Sequence, residues 1–149
     1  MLFRLVLIFF FALTTCCEVA AENYKGLRIS QAHARATVPG QSSAAVYLTI
    51  QNTGTSADEL LVVKSPAATT ANLHSMAMNG NVMQMREVDR ITVAPGAAAT
   101  MAAGHGYHVM LSGLHHPLVA GQKIALFLTF KHSGVVKTNV TIDGLTSVH

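Results

Sequence analysis

Short runs rich in β-branched and apolar residues, each ending in a turn, follow one another along most of this 149-residue chain. No window of about a dozen residues shows the sustained 3.6-residue apolar stripe of an amphipathic helix. Strands that recur every eight to twelve residues or so are typical of Greek-key sandwiches and barrels. The sequence therefore predicts an all-β domain, a Greek-key β-barrel or sandwich of about eight strands.

Ten segments are candidates for these strands, and their apolar positions predict the core. The segments are residues 27–38, 43–51, 59–64, 69–78, 82–88, 91–93, 97–101, 107–111, 123–130 and 135–142. The predicted core residues are Phe127, Leu126, Leu128, Val46, Leu48, Ile50, Leu61, Val62 and Ile142.

A hairpin signal lies between two of these segments, at Asn79-Gly80. A two-residue type I′ turn needs positive φ at both central positions, which Asn and Gly tolerate. With these two residues as the turn, one face of the hairpin carries three predicted pairs, namely Met78 with Asn81, Met76 with Met83, and His74 with Met85. An imidazole nitrogen and a thioether sulfur would then meet across the strands.

A second His/Met pair lies in the run Y-H-V-M-L, where His108 and Met110 are two positions apart. Positions i and i+2 of a strand share a face at about 6.6 Å. Methionine sulfur is soft, uncharged and does not titrate, so imidazole with thioether suits monovalent copper. A single Met or His usually has a packing or surface role, but two such pairs together predict a metal site.

The N-terminal residues predict export. Arg4, the apolar run at 5–13 and the small residues ending at Ala21 form the pattern of a secretory signal, with cleavage expected after Ala21. The apolar run is shorter than the ~20 residues that span a bilayer. Lipidation at Cys16 is the alternative, because residues 13–16 loosely resemble a lipobox. The expected organisation is a cleaved signal at 1–21 and one exported copper-binding β domain at 22–149.

Charge and cysteine content exclude several classes of protein. Both cysteines, Cys16 and Cys17, fall in the signal, so the mature domain would contain no disulfide and no thiolate ligand. A blue-copper site, which needs Cys, is therefore excluded. The basic residues are scattered singly without aromatic neighbours, so no nucleic-acid partner is expected.

The order of the His and Met residues resembles the periplasmic copper(I) chaperones associated with assembly of the copper A centre of cytochrome oxidase. Their motif is His, ten residues, Met, twenty-one residues, His-x-Met. Here ten residues separate His74 from Met85, and twenty-two separate Met85 from His108. The resemblance includes A-V-Y-L at 45–48 and G-Y-H-V-M-L-S-G-L at 106–114. The additional residue is most easily accommodated in the turn at 103–106, which leaves both strands in register.

The resemblance implies a cupredoxin-like β-barrel in which His74, Met85, His108 and Met110 bind Cu(I). It implies a chaperone rather than an enzyme. The implied recipient is subunit II of cytochrome c oxidase or a thiol-bearing copper assembly factor, with no small-molecule substrate.

Five further residues are candidates for auxiliary roles: Met76, Met83, His105, His115 and His116. The two methionines share the predicted face of His74, where they could receive the ion, form a docking patch or simply pack. The three histidines are near the second pair in sequence. They are either solvated loop residues or a weaker Cu(II) site.

Three rival functions differ in class. A periplasmic scavenging or tolerance protein would bind copper without specific delivery. A metal-free interaction or carbohydrate-binding module would need aromatic platforms, yet the chain has no Trp and three Tyr. An enzyme is disfavoured because no Ser/His/Asp order, carboxylate pair or nucleophilic Cys can be assembled.

Overall fold

The structure is a computed structural model that describes residues 22–146, and all of its regular elements are strands. They are β1 (Glu22–Tyr24), β2 (Leu27–Arg35), β3 (Ser43–Asn52), β4 (Asp58–Lys64), β5 (Ala68–Asn79), β6 (Val82–Glu87), β7 (Ile91–Val93), β8 (Ala98–Ala102), β9 (His105–Leu114), β10 (Lys123–Phe130) and β11 (Gly134–Asp143). Within this range no helix is long and apolar enough to cross a membrane. The predicted signal, its cleavage site at Ala21 and Cys16 lie outside the described residues.

The strands form one sheet in the order β6-β5-β9-β8-β3-β2-β11-β10-β4-β7, with β1 paired to β2. All pairs are antiparallel except β11 with β2. The sheet curls so that β4 contacts β5 and β7 contacts β8, while β6 and β7 remain its edges. The all-β prediction is confirmed. The strands number eleven rather than about eight, because short strands such as β1 and β7 extend the sheet.

The core lies on one face of each strand. Along β3, Ala44, Val46, Leu48 and Ile50 are buried, and the residues between them are half-buried or exposed. Six predicted core residues are buried, namely Leu126, Leu128, Val46, Leu48, Ile50 and Ile142. The prediction was wrong for the other three, Phe127, Leu61 and Val62.

A bulge explains two of these errors. The register between β10 and β4 shifts between Thr129 and Phe130, which pair with Val62 and Leu60. Leu61 is therefore the extra residue of β4, and alternation is interrupted there. Leu60 and Val63 are buried in place of Leu61 and Val62. Phe127 lies on the face opposite the core, beside the Lys137 ammonium.

The hairpin of β5 and β6 turns one residue later than predicted. Asn79 pairs with Val82, so the turn is Gly80-Asn81, and Gly80 has φ 62°. A two-residue turn with Gly first is type II′, which needs positive φ at that position alone. Gly accepts this conformation at lower cost than Asn does. The predicted pairing of His74 with Met85 was therefore wrong.

Candidate metal site

Four rings form a row on the sheet face opposite the core. His74 of β5 pairs with His108 of β9, and His33 of β2 pairs with Tyr47 of β3. Ring centroids are 5.4 Å apart for His74 and His108, 6.3 Å for His108 and Tyr47, and 5.6 Å for Tyr47 and His33. The row crosses four strands, so its geometry depends on the register of the whole sheet.

His108 is the most enclosed member of the row, with 1% of its surface exposed. Burial lowers the pKa of His108, and repulsion from a protonated His74 lowers it further. The ring is therefore neutral at neutral pH and keeps a lone pair for a metal ion.

Two buried nitrogens in this row have no hydrogen-bond partner. They are Nδ1 of His74 and Nδ1 of His108, among the residues that the structure describes. Leaving such an atom unpaired costs about 1 to 3 kcal/mol. The rings are nearly perpendicular, with an interplanar angle of 86° and centroids 5.4 Å apart. That separation lets two imidazoles share one ion, since a histidine nitrogen lies ~2 Å from a bound metal.

The two predicted methionine ligands lie on the same face but differ in exposure. Met110 is half-buried on β9, two positions from His108, and pairs with Asn72 and Ala45. Met85 is on the edge strand β6 and is exposed. It pairs with Met76, so it is a diagonal rather than a direct neighbour of His74. Diagonal side chains are about 7 to 8 Å apart, within reach of a long residue such as Met.

The remaining methionines fall into two groups. Met76 is buried yet stands apart from the apolar core cluster of the described residues, because it lies on the face of His74. Met78 and Met83 pair with each other on that face and are exposed. Met101 of β8 is buried in the core and has a packing role.

His105 is not brought together with His115 and His116. His105 begins β9, and His115 follows the end of that strand, about 30 Å away at 3.3 Å per residue. His105, His115 and His116 are all exposed. In residues 22–146 no three or more His, Cys, Asp or Glu side chains gather in a way that could hold a metal. The candidate soft donors beside the imidazole row are the thioethers of Met85 and Met110.

Three residues in or beside the row were missed as site residues by sequence reasoning. Tyr47 contacts the rings of both His108 and His33. His33 faces Tyr47 because β2 has a bulge between Ser30 and His33, where Gln31 adopts φ 55°. Glu87 pairs with His74 across β5 and β6.

No local pattern marks these three residues, although Tyr47 lies in the A-V-Y-L run that carries part of the resemblance. Asn72 Nδ2 donates a hydrogen bond to Glu87 Oε1 at 3.0 Å, which holds the carboxylate beside the row.

Comparison with solved structures defines the class of fold. The apo PCuAC domain from PmoF1 is 26% identical with a TM-score of 0.73, covering 84% of this chain and 99% of that one. The copper-bound PCuAC domain from PmoF2 is 24% identical with a TM-score of 0.73, covering 84% and 98%. The solution structure of CuI-DR1885 from Deinococcus radiodurans is 26% identical with a TM-score of 0.62, covering 88% and 85%. The fold is that of a PCuAC domain.

The chain belongs to the LpqE-like family, described as "Putative lipoprotein LpqE-like", which it matches over residues 27–142. The "Putative lipoprotein Lxx21020" of Leifsonia xyli subsp. xyli (strain CTCB07) is 29% identical over 137 residues, which is 92% of this chain and 81% of that protein. The resemblance found in the His and Met motif is thereby confirmed at the level of family and fold.

Proposed function

We propose that this protein is a non-enzymatic metallochaperone that binds Cu(I) through His74, Met85, His108 and Met110. The observation that carries the proposal is the pair of buried, unpartnered Nδ1 atoms on facing histidines, on the same sheet face as two thioethers. Neutral imidazole and thioether are soft, uncharged donors that favour Cu(I). A solved relative supports this assignment, since CuI-DR1885 from Deinococcus radiodurans is a Cu(I)-bound protein.

The exposure of the site favours delivery over storage. His108 is enclosed, whereas Met85 is exposed on the edge strand β6. A ligand of an incoming partner can therefore replace the Met85 sulfur while both imidazoles still hold the ion. Cu(I) tolerates low and distorted coordination, which permits such an exchange.

We further propose that the recipient is the copper A centre of cytochrome c oxidase or a thiol-bearing assembly factor, met outside the cytoplasm. The motif supports the recipient, and the lipoprotein descriptions of the family and relative support export. Cleavage after Ala21 and lipidation at Cys16 predict different masses for the mature chain. Intact-mass measurement of protein purified from membrane and soluble fractions separates them.

The ligand assignment is tested by Cu(I) titration of the mature protein against a competing chelator, with sulfur coordination measured by X-ray absorption. The double variant His108→Ala, Met110→Ala should lose at least about tenfold in Cu(I) affinity, since even outer-shell partners of metal ligands contribute that much. Met101→Leu changes a core methionine instead and should bind as the wild type does. Unchanged affinity in the double variant would contradict the assignment.

A scavenging or tolerance protein is the second candidate, favoured by the nearly complete burial of His108. Such a protein would retain its ion. Incubating the Cu(I)-loaded protein with an apo copper A domain separates the two functions, because only a chaperone should transfer copper on mixing. Retention of copper by the loaded protein would favour storage.

A further inference from the structure

The structural register of the β5–β6 hairpin arranges four methionines as two successive cross-strand pairs. Met78 pairs with Met83 at the tip, and Met76 pairs with Met85 one step nearer the imidazole row. All four lie on the face of His74, because residues two apart on a strand share a face. The opposite face of the same hairpin carries no sulfur at its central pair, Ala77 with Gln84.

Met78 and Met83, here called the outer thioether pair, are open to solvent. They are 57% and 49% exposed, whereas Met76 is 9% exposed. Directly opposed side chains have Cβ atoms about 4.5 to 5.5 Å apart, so both sulfurs can reach one ion. The apolar core packs around other residues, so packing in the core does not account for this pair.

The outer thioether pair is aligned with the proposed site. Met78 and His74 are four positions apart on β5, or about 13 Å at 3.3 Å per residue. The pair of Met76 and Met85 lies halfway between them. Thioether sulfur thus recurs about every 6.6 Å from the hairpin tip to the imidazoles.

We propose that the outer thioether pair is an entry site for Cu(I), which then moves over Met76 and Met85 to His74 and His108. This inference rests on the proposed function. Each step forms one copper–ligand bond as another breaks. The copper stays monovalent throughout. No proton moves at the thioethers, which do not titrate, and any proton on a ligating imidazole nitrogen is released to water as copper binds there. Two thioethers alone hold the ion weakly, so the gradient of affinity runs inward toward the imidazoles.

The double variant Met78→Leu, Met83→Leu tests the entry site, because Leu keeps the apolar volume and removes the sulfur. Cu(I) is supplied as a complex with a coloured chelator, and stopped-flow absorbance follows its loss to the mature protein. Uptake should be about tenfold slower, within the range over which association rates vary among related variants. Equilibrium affinity should fall by no more than about twofold, as expected for separated sites.

Two controls separate this effect from a general effect of methionine content. Met101→Leu removes a core thioether and should leave the uptake rate as in the wild type. Adding Ala77→Met and Gln84→Met to the double variant restores two thioethers on the opposite face of the hairpin. Uptake should remain slow, and recovery of the rate would overturn the proposal.

Silver, a monovalent d¹⁰ ion, tests the pair without the inner site. In the variant His74→Ala, His108→Ala, Ag(I) titration should shift the ε-methyl NMR signals of Met78 and Met83. Three results would each overturn the entry site. They are unshifted methyl signals, an unchanged uptake rate in the variant Met78→Leu, Met83→Leu, and a large loss of that variant's equilibrium affinity for Cu(I). Cu(I) affinity as high as the wild type's in the variant His74→Ala, His108→Ala would instead refute the proposed function, and the Ag(I) titration would still test the outer pair.

Discussion

Tyr47 has a structural role toward the proposed ligand His108. The two ring centroids are 6.3 Å apart, and the Tyr47 ring also contacts His33 at 5.6 Å. The ring therefore helps to enclose an imidazole that is 1% exposed. Residues that fix the orientation of a metal-binding histidine raise the affinity of the site for the metal, because they limit the other conformations of the imidazole.

Replacing Tyr47 by Ala should therefore weaken Cu(I) binding by about tenfold, the lower end of the effect of outer-shell changes. Tyr47→Phe keeps the ring and should bind as the wild type does, because the contacts are made by the ring. Competitive Cu(I) titration of both variants provides the measurement. Equal affinity in all three proteins would show that the ring does not position His108.

The residue scale also shows what the sequence could not reveal. The sequence spacing indicated His74, Met85, His108 and Met110 as candidate ligands, and strand period placed the two members of each His/Met pair on a common face. That the two pairs lie on the same face depends on the pairing of β5 with β9. The sequence did not reveal which residue lies directly opposite His74 on the neighbouring strand. On the β9 side it is His108, which is 34 positions further along the chain and lies there through the pairing of β5 with β9. A single sequence gives periodicity within a strand but does not specify which distant strand lies beside it.

At the scale of elements, the predicted strands agree closely with β2 to β11. Segments 91–93 and 123–130 match β7 and β10 at both ends. Most errors occurred at irregularities, namely the Gly80-Asn81 turn and the bulges in β4 and β2. At these points one additional or missing residue changes the face on which a side chain lies or the residue with which it pairs. The apolar pattern is too short to reveal such a residue. Phe127 is the exception, because it lies in an apolar run of β10 that does not reveal which face is buried.

Gly113, in the run G-Y-H-V-M-L-S-G-L, lies where β5 and β9 pack closely together. It has φ 69°, and a Cβ there would lie 2.6 Å from Thr69 Oγ1 and 2.9 Å from Thr69 Cβ. Thr69 Oγ1 also donates a hydrogen bond to the Gly113 carbonyl at 3.1 Å. Only glycine therefore lets β5 and β9 approach at this position.

Gly113→Ala should destabilise the fold through both backbone strain, about 1 to 2 kcal/mol, and overpacking, about 1 to 3 kcal/mol. Gly104→Ala is the matched control, because Gly104 has φ 89° with no atom within 4 Å of the added Cβ. Gly104→Ala should therefore lose only the part of the free energy of unfolding that backbone strain accounts for. Urea unfolding gives both free energies. An equal loss in the two variants would show that contact with Thr69 costs nothing.

At the scale of the whole molecule, a buried carboxylate joins two regions of the chain at a distance from the imidazole row. Asp58 of β4 is 4% exposed. Its Oδ1 accepts hydrogen bonds from the Glu59 and His132 amides at 2.8 and 2.9 Å, and its Oδ2 accepts one from the Ser133 amide at 2.9 Å. The carboxylate thus fixes the turn between β10 and β11 against β4.

These contacts make the stability of the fold depend on pH. Burial acts to raise the pKa of Asp58, but hydrogen bonds from Ser133, His132 and Glu59 outweigh it and lower that pKa below the ordinary 3.8. A carboxylate with a lowered pKa in the folded state stabilises the fold above the unfolded pKa. That stability is lost as pH falls through the folded pKa.

Asp58→Asn should therefore reduce the free energy of unfolding near pH 7 by about 1 to 3 kcal/mol, because its amide group cannot accept the bond from Ser133 N–H. The difference from the wild type should shrink in acid, as the pH falls through the folded-state pKa and the wild-type carboxyl also becomes neutral. Asp89→Asn, at an exposed position, should change stability by less than about 0.5 kcal/mol both near pH 7 and in acid. Denaturant unfolding of the metal-free proteins measures these free energies. If the difference between wild type and Asp58→Asn stays constant with pH, the Asp58 carboxylate is ruled out as its cause.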